Sequence, residues 1–300
     1  MRMNKEFHIL SLGAGVQSTM LYLLVAQKHP IMPPLDAAIF ADTGEEPQAV
    51  YSHLKWLKTQ PGPPIIERNA GNRLGDGLIF GTGPTGYSYM TTKKQSGAHE
   101  RYASIPAFTL SDNGNIGMTR RQCTKEYKTA VVERTIRRDI IGLKPRQQMP
   151  KDVIVHLYMG LSFDEARRVL KVRAIFYGKN QWQAHFPLFD TNTTRAGCRS
   201  WLLRQNIPHL VPRSACTFCP YHSDKEWAVI KSVSGDWNRA CEVDDALRNK
   251  QAAINLAHTS ALFVHRSCKP LRDADLSIPE IDDRQMEMEF ARECEGMCGV

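Results

Sequence analysis

No run in this chain approaches the ~18–20 consecutive apolar residues that a bilayer-crossing helix needs. The opening residues, Met1-Arg2-Met3-Asn4-Lys5-Glu6, lack the apolar stretch of a secretory leader and lead into a strand-like segment, Phe7-His8-Ile9-Leu10. A cytoplasmic protein with no membrane partner is therefore expected. In that reducing compartment the eight cysteines are not expected to form a disulfide framework. Metal binding or thiol chemistry is the use to look for. An acidic excess is missing too. The formal net charge is +8, which favours polyanionic or phosphorylated partners and is equally compatible with plain solubility. A nucleotide, a nucleic acid or both would suit it. With 42% apolar residues, the 300-residue chain can build one large domain or two modest ones.

The chain is organised around Ser11-Leu12-Gly13-Ala14-Gly15-Val16-Gln17-Ser18-Thr19. An apolar strand precedes it. An apolar helix, Met20-Leu21-Tyr22-Leu23-Leu24-Val25-Ala26, follows. A strand, a Gly/Ser-rich turn and a helix make an anion cradle, because free N–H groups and the helix dipole both face the incoming charge. The glycines permit close backbone approach, and Ser11, Ser18 and Thr19 add hydroxyl donors. The same composition also suits an ordinary strand-to-helix turn.

Strand and helix then alternate. Leu35–Ala41 reads as a second strand ending in Asp42-Thr43-Gly44-Glu45-Glu46-Pro47. Val50, Leu54 and Leu57 mark the inner face of a helix, and Pro63–Glu67 a third strand. This is the pattern of an α/β doubly wound, mainly parallel sheet, Rossmann-like, with ligands at the carboxyl ends of the strands. Residues 70–118 are rich in Gly, Ser, Thr and Tyr, and Lys93, Lys94 and Arg101 make them basic. A loop region of that length is a mobile surface excursion or a substrate lid. Val132, Ile136 and Ile140 mark another helix, and Val153–Gly160 another strand, which leads through Leu161–Glu165 into a basic helix. Two regions are expected: a nucleotide-binding α/β domain over 1–190 with its lid at 70–118, and a cysteine-rich, mostly helical region with a tail over 191–300.

The cysteines fall in telling places. Cys123 stands at a helix start among Arg120, Arg121 and Lys125, where cations lower a thiol's pKa. Cys216-Thr217-Phe218-Cys219 is a C-x-x-C, a spacing that lets both sulfurs hold one metal or cluster iron. Cys198 lies eighteen residues before it. A four-thiolate site from Cys123, Cys198, Cys216 and Cys219 is expected, holding an iron–sulfur cluster (4Fe-4S) or alternatively zinc. A redox pair or a chance spacing is the plainer alternative. His222 and His265 are further candidate ligands, though a lone histidine is more often structural. Cys294 and Cys298 lie in a Gly-containing tail that can swing, which suits a nucleophile and a resolving thiol; docking as extra ligands is the alternative.

These residues resemble the phosphoadenosine phosphosulfate (PAPS) reductase family, within the PP-loop ATP-pyrophosphatase superfamily, in its phage-type reductase-like form. Ser11-x-Gly13-x-Gly15-x-Gln17-Ser18 is similar to the reductase form of the PP-loop, where ATP-splitting members carry Ser-Gly-Gly-x-Asp-Ser. Asp42-Thr43-Gly44 with Glu46-Pro47 resembles the second motif. Arg121-x-Cys123-Thr124-Lys125-x-x-Lys128 resembles the cysteine-basic motif beside the phosphates. Gly160-Leu161-Ser162-x-Asp164-Glu165-x-Arg167, then Pro187-Leu188, resemble the later motif. The resemblance covers residues 7–220. The tail, Glu293-Cys294-Glu295-Gly296-Met297-Cys298-Gly299, departs from the family's Glu-Cys-Gly-x-His, and the Cys-Cys pair of cluster-bearing reductases is reduced to Cys123.

The resemblance implies an adenine-nucleotide site made of Ser11, Gly13, Gly15, Gln17, Ser18, Thr19, Asp42, Thr43, Gly44, Glu46, Arg120, Gly160 and Arg167. Arg121, Lys125, Lys128, Cys294 and Cys298 would be catalytic. The first reading is thiol- or cluster-assisted reduction of an adenylyl-sulfate nucleotide (PAPS or APS), with a thioredoxin-like thiol donor. The second is an ATP-dependent sulfurtransferase that modifies a nucleic acid, with Mg²⁺ and a sulfur donor. Gln17 weighs against it, because a carboxylate there would help hold Mg²⁺. The third is a non-catalytic, metal-stapled nucleotide- or nucleic-acid-binding protein.

Overall fold

The computed structural model describes residues 4–80, 105–119, 121–254 and 261–277. A five-stranded, all-parallel sheet forms its centre. In chain order the strands are β1 (Lys5–Leu12), β2 (Ala37–Asp42), β3 (Ile65–Asn69), β4 (Phe108–Leu110), β5 (Ile116–Met118), β6 (Val153–Met159), β7 (Trp182–His185) and β8 (Ala261–Phe263). The central sheet has the order β3-β2-β1-β6-β7, and β5-β4-β8 make a small antiparallel sheet. Strands buried on both faces read as continuous apolar runs, as Ala37–Ala41 does.

The helices are α1 (Val16–Ala26), α2 (Gln48–Leu57), α3 (Leu74–Phe80), α4 (Ala130–Thr135), α5 (Ala166–Phe176), α6 (Pro187–Asp190), α7 (Arg195–Leu203), α8 (Asp224–Ser232) and α9 (Ser234–Ile254). Thr124–Thr129 and Ile136–Ile140 extend α4 at both ends as π-helical turns. The sheet separates two apolar clusters. Ile9, Ile39, Val155 and Leu157 face one, with Tyr127, Trp227 and Val243. Leu10, Leu12, Ala38 and Phe40 face the other, with Leu21, Leu54 and Leu202. The strand period of two produces this division.

The expected strands and helices of the first half are present, and the doubly wound arrangement with them. Residues 70–118 hold more regular structure than their composition implies. Leu74 and Leu78, one helical turn apart, are buried under α3, and β4 and β5 form a hairpin closed over Ser111–Asn115. Residues 81–104, with Lys93, Lys94 and Arg101, lie outside the described residues. Elements beyond residue 190 pack into the same two clusters: Leu202 of α7 joins the cluster with α1, and Val243 of α9 joins the other. β8 pairs with β4. No described helix is long and apolar enough to cross a membrane.

Candidate functional site

β1 and β2 are neighbours, so the loops at their carboxyl ends share one rim. The first loop turns at Ala14, whose φ is 56°, while Gly15 is extended and caps α1. A left-handed alanine costs about 1–2 kcal/mol. Backbone strain of this kind concentrates at ligand loops. The Ser18 hydroxyl closes the turn, accepting from the Gly13 N–H at 3.2 Å and donating to the Gly15 carbonyl at 3.3 Å. The first-turn amides of α1 have no acceptor within their own helix. Gly160, just after β6, lies against that turn: a Cβ there would sit 2.9 Å from the Ser18 nitrogen.

Two side chains of the motif face elsewhere. The Gln17 amide donates to Glu165 Oε2 at 3.0 Å and to Ser162 Oγ at 3.4 Å. Thr19 Oγ1 meets His53 Nε2 at 2.9 Å, and His53 Nδ1 meets His209 Nε2 at 2.8 Å. Gln17 and Thr19 therefore lock α1 to its neighbours, whereas sequence placed both on the ligand. Gln17 Oε1 and Ser11 Oγ are buried with no hydrogen-bond partner among the described residues.

The β2 loop is built around three carboxylates. Asp42 accepts from the Gly44 N–H at 2.7 Å and the Tyr51 hydroxyl at 2.9 Å. Gly44 has φ +74°, and a Cβ there would meet Arg73 Cγ at 2.7 Å, so glycine is required on both counts. Glu46, buried, accepts from Lys128 Nζ at 3.2 Å and Ser214 Oγ at 3.3 Å. Glu45, also buried, takes both Nε and Nη2 of Arg239, at 3.0 and 2.6 Å. Sequence reading assigned Glu46 and passed over Glu45, because its partner lies nearly two hundred residues away.

A small cavity of about 30 Å³ opens beside this loop, lined in part by Thr43, Arg121, Cys123, Lys128, Cys216 and Cys219. Thr43 Oγ1 and Cys216 Sγ are 3.3 Å apart. Burial pushes the Cys216 thiol well above its ordinary pKa; Glu46 adds to this, and Lys128 and Thr43 oppose it. Arg121 lies over the Tyr221 ring at 5.6 Å. Lys125 points outward and is exposed. Arg120, Cys294 and Cys298 lie outside the described residues.

Three of the four expected metal thiols thus share one cavity. Cys198 does not join them: it is buried on the other side of the sheet, in the cluster with α1. Among the described residues, no three of Cys123, Cys198, Cys216 and Cys219 bring their sulfurs within 4.8 Å of one another. A four-thiolate centre does not fit this arrangement. His222 Nε2 is bonded to the Cys216 carbonyl oxygen at 2.9 Å, and His265 lies between Asp224 and Ser267 at 3.1 and 2.8 Å. Both histidines are tied within the fold.

At the end of β6, Ser162 and Glu165 form a reciprocal helix cap. Arg168, not Arg167, pairs with Glu165. Arg167 is exposed. The motif spacing pointed to Arg167, whereas the i, i+3 position turns Arg168 toward Glu165.

Comparisons with protein-family models, with curated proteins and with solved structures return no match for this chain. The site therefore stands on its own geometry: a strained loop at a helix start, an adjacent carboxylate loop, and beside them a small cavity whose lining includes three cysteines, Arg121 and Lys128.

Proposed function

We propose that this chain is an adenine-nucleotide-binding enzyme resembling the PAPS reductases, and that it reduces an adenylyl-sulfate nucleotide with thiols. One observation carries the reading. Cys123, Cys216, Cys219, Arg121 and Lys128 surround a cavity that Thr43 also lines, and Thr43 follows the strand next to the glycine loop. An anionic ligand on the first turn of α1 would have thiols and cations as neighbours.

In this reading the amides of the loop, with the orphaned Ser11 hydroxyl, hold phosphate oxygens. Lys128, positioned by Glu46, and Arg121 offset the charge that builds on the departing phosphate. A tail thiolate, Cys294 or Cys298, attacks the sulfate sulfur. A cysteine–sulfonate bond forms, the sulfur–oxygen bond to phosphate breaks, and the nucleotide leaves with that electron pair. The second thiol attacks the cysteine sulfur, releasing sulfite and closing a disulfide. The sulfur gains two electrons and the two thiols lose them. An external dithiol of thioredoxin type then reduces the disulfide. No step passes through a metal.

The test is sulfite release by the full chain, without oxygen, from adenylyl sulfate or its 3′-phosphorylated form with excess dithiol. Sulfite is expected, and Cys294→Ser with Cys298→Ser should abolish it while nucleotide binding survives. No sulfite from either nucleotide overturns the reading. A sulfurtransferase that activates a nucleic acid with ATP is favoured by a different feature: three cysteines already line one cavity without help from the tail. It requires pyrophosphate release from ATP that depends on added nucleic acid.

A further inference from the structure

The other notable side-chain cluster lies on the sheet face, away from this rim. Glu6 and His8 project from β1, His156 and Tyr158 from β6, and His185 from β7. His8 is the direct cross-strand partner of His156, and Tyr158 that of His185. The intervening residues, Phe7, Ile9, Val155 and Leu157, fill the core on the opposite face. At about 3.3 Å per residue, His8 stands roughly 13 Å before the end of β1. The cluster is thus a separate place from the glycine loop, and its chemistry is independent of the proposed reaction.

The polar pattern is unusual. His8 Nδ1 lies 3.0 Å from the Tyr158 hydroxyl, and His156 Nδ1 lies 3.0 Å from His185 Nε2. In the tautomers that carry the proton on Nδ1, facing Tyr158 and His185, both rings present an Nε2 lone pair. His156 Nε2 is 3.3 Å from Glu6 Oε2 and yet, though buried, has no hydrogen bond. One ligand atom from each of Glu6, His8 and His156 lies within 4.8 Å of the other two. A proton on His156 Nε2 would place one donor among these atoms; a cation would instead take lone pairs from the carboxylate and both rings at once.

We propose that Glu6, His8 and His156 form a binding site for a divalent transition metal of the zinc class. Two imidazoles and one carboxylate suit Zn²⁺, with a fourth position for water, and disfavour the hard cations Mg²⁺ and Ca²⁺. Tyr158 and His185 are the positioning residues, since a metal-bound imidazole characteristically gives its other N–H to a neighbouring acceptor. The half-exposed Glu6 side chain leaves a route from solvent. The two rings are stacked 4.4 Å apart and only 4° from parallel. A lone pair lies in its own ring plane, so metal binding must splay them.

Zinc titration of the metal-stripped full chain tests this, read by calorimetry and by the histidine ring resonances. Free cysteine thiols also attract zinc, so each equivalent has to be assigned. One equivalent should shift the His8 and His156 resonances, persist in Cys216→Ser, and disappear or weaken at least tenfold in Glu6→Gln and in His156→Gln. Glu6 is half-exposed, so Glu6→Gln is the variant expected to keep the fold. Tyr158→Phe should weaken the same equivalent about tenfold. Unshifted histidine resonances at saturating zinc, or equal affinity in wild type and Glu6→Gln, overturn the proposal.

Discussion

A Cβ on Gly160 would lie 2.9 Å from the backbone nitrogen of Ser18 and 3.1 Å from the carbonyl carbon of Gln17. Both are backbone atoms of the first turn of α1, so neither can swing aside. Gly160→Ala should therefore push that turn away from β6, at a cost of about 1–3 kcal/mol. Urea denaturation measures the cost, and nucleotide titration should show weaker binding. Glu46 makes a second prediction. Its carboxylate and the Lys128 ammonium are both almost wholly removed from solvent. Removing one partner of such a pair costs roughly 3–5 kcal/mol, so Glu46→Ala should lower the urea midpoint by far more than an average surface change. At this scale the sequence was legible where a residue's role is set by its near neighbours. The turn between β1 and α1, with its Gly13 and Gly15, is an example. Gln17 was not legible: its partners Ser162 and Glu165 come from the far side of the fold, and only the closed sheet brings them within 3.4 Å.

Elements with a strong period were readable from the chain. Val50, Leu54 and Leu57 are all buried under α2, as their spacing requires. The short pieces were not. α3 and the β4–β5 hairpin are too brief to show periodicity, and β4 is fixed by pairing with β8, some 150 residues later in the chain. The packing of α1 on α2 carries a pH dependence. His53 joins them through Thr19, and burial, with His209 adding, pulls its pKa from 6.5 to about 3. A histidine held neutral in the folded state binds its proton more readily when unfolded. Its contribution is therefore intact above about pH 6.5 and falls away as the pH drops toward 3, by up to about 1.4 kcal/mol per pH unit. His53→Gln should flatten the fall in unfolding free energy between pH 6.5 and 4, as read by urea denaturation at each pH. An equal slope in both proteins would remove His53 as the cause.

On the scale of the whole molecule, one carboxylate ties the C-terminal helices to the rim of the sheet that carries the glycine loop. Glu45 is buried at the end of β2 and receives Arg239 of α9 through two nitrogens. The same carboxylate accepts from the Gly75 N–H at 3.0 Å, and Arg239 also pairs with Asp76, so α3 is held in the same knot. The Glu45 carbonyl oxygen accepts from the Thr217 N–H at 2.7 Å, which anchors the C-x-x-C turn. The C-x-x-C turn of the second half is thus held by a residue of the first. Arg239→Ala takes the bidentate partner from a buried carboxylate, and a loss of roughly 3–5 kcal/mol is expected. Arg239→Lys keeps the charge but lacks the planar fork, and should fall between the two. Overall stability alone would not separate this knot from any other buried pair, so hydrogen exchange supplies the deciding measurement. In Arg239→Lys the amides of Gly75 and Thr217 should exchange faster, while the β1 and β6 amides at the far end of the sheet keep their protection. Uniform loss of protection would mean that Arg239 supports the fold in general. Selective loss would show that α9 sets the position of the C-x-x-C turn, and with it the distance from Cys216 to the glycine loop.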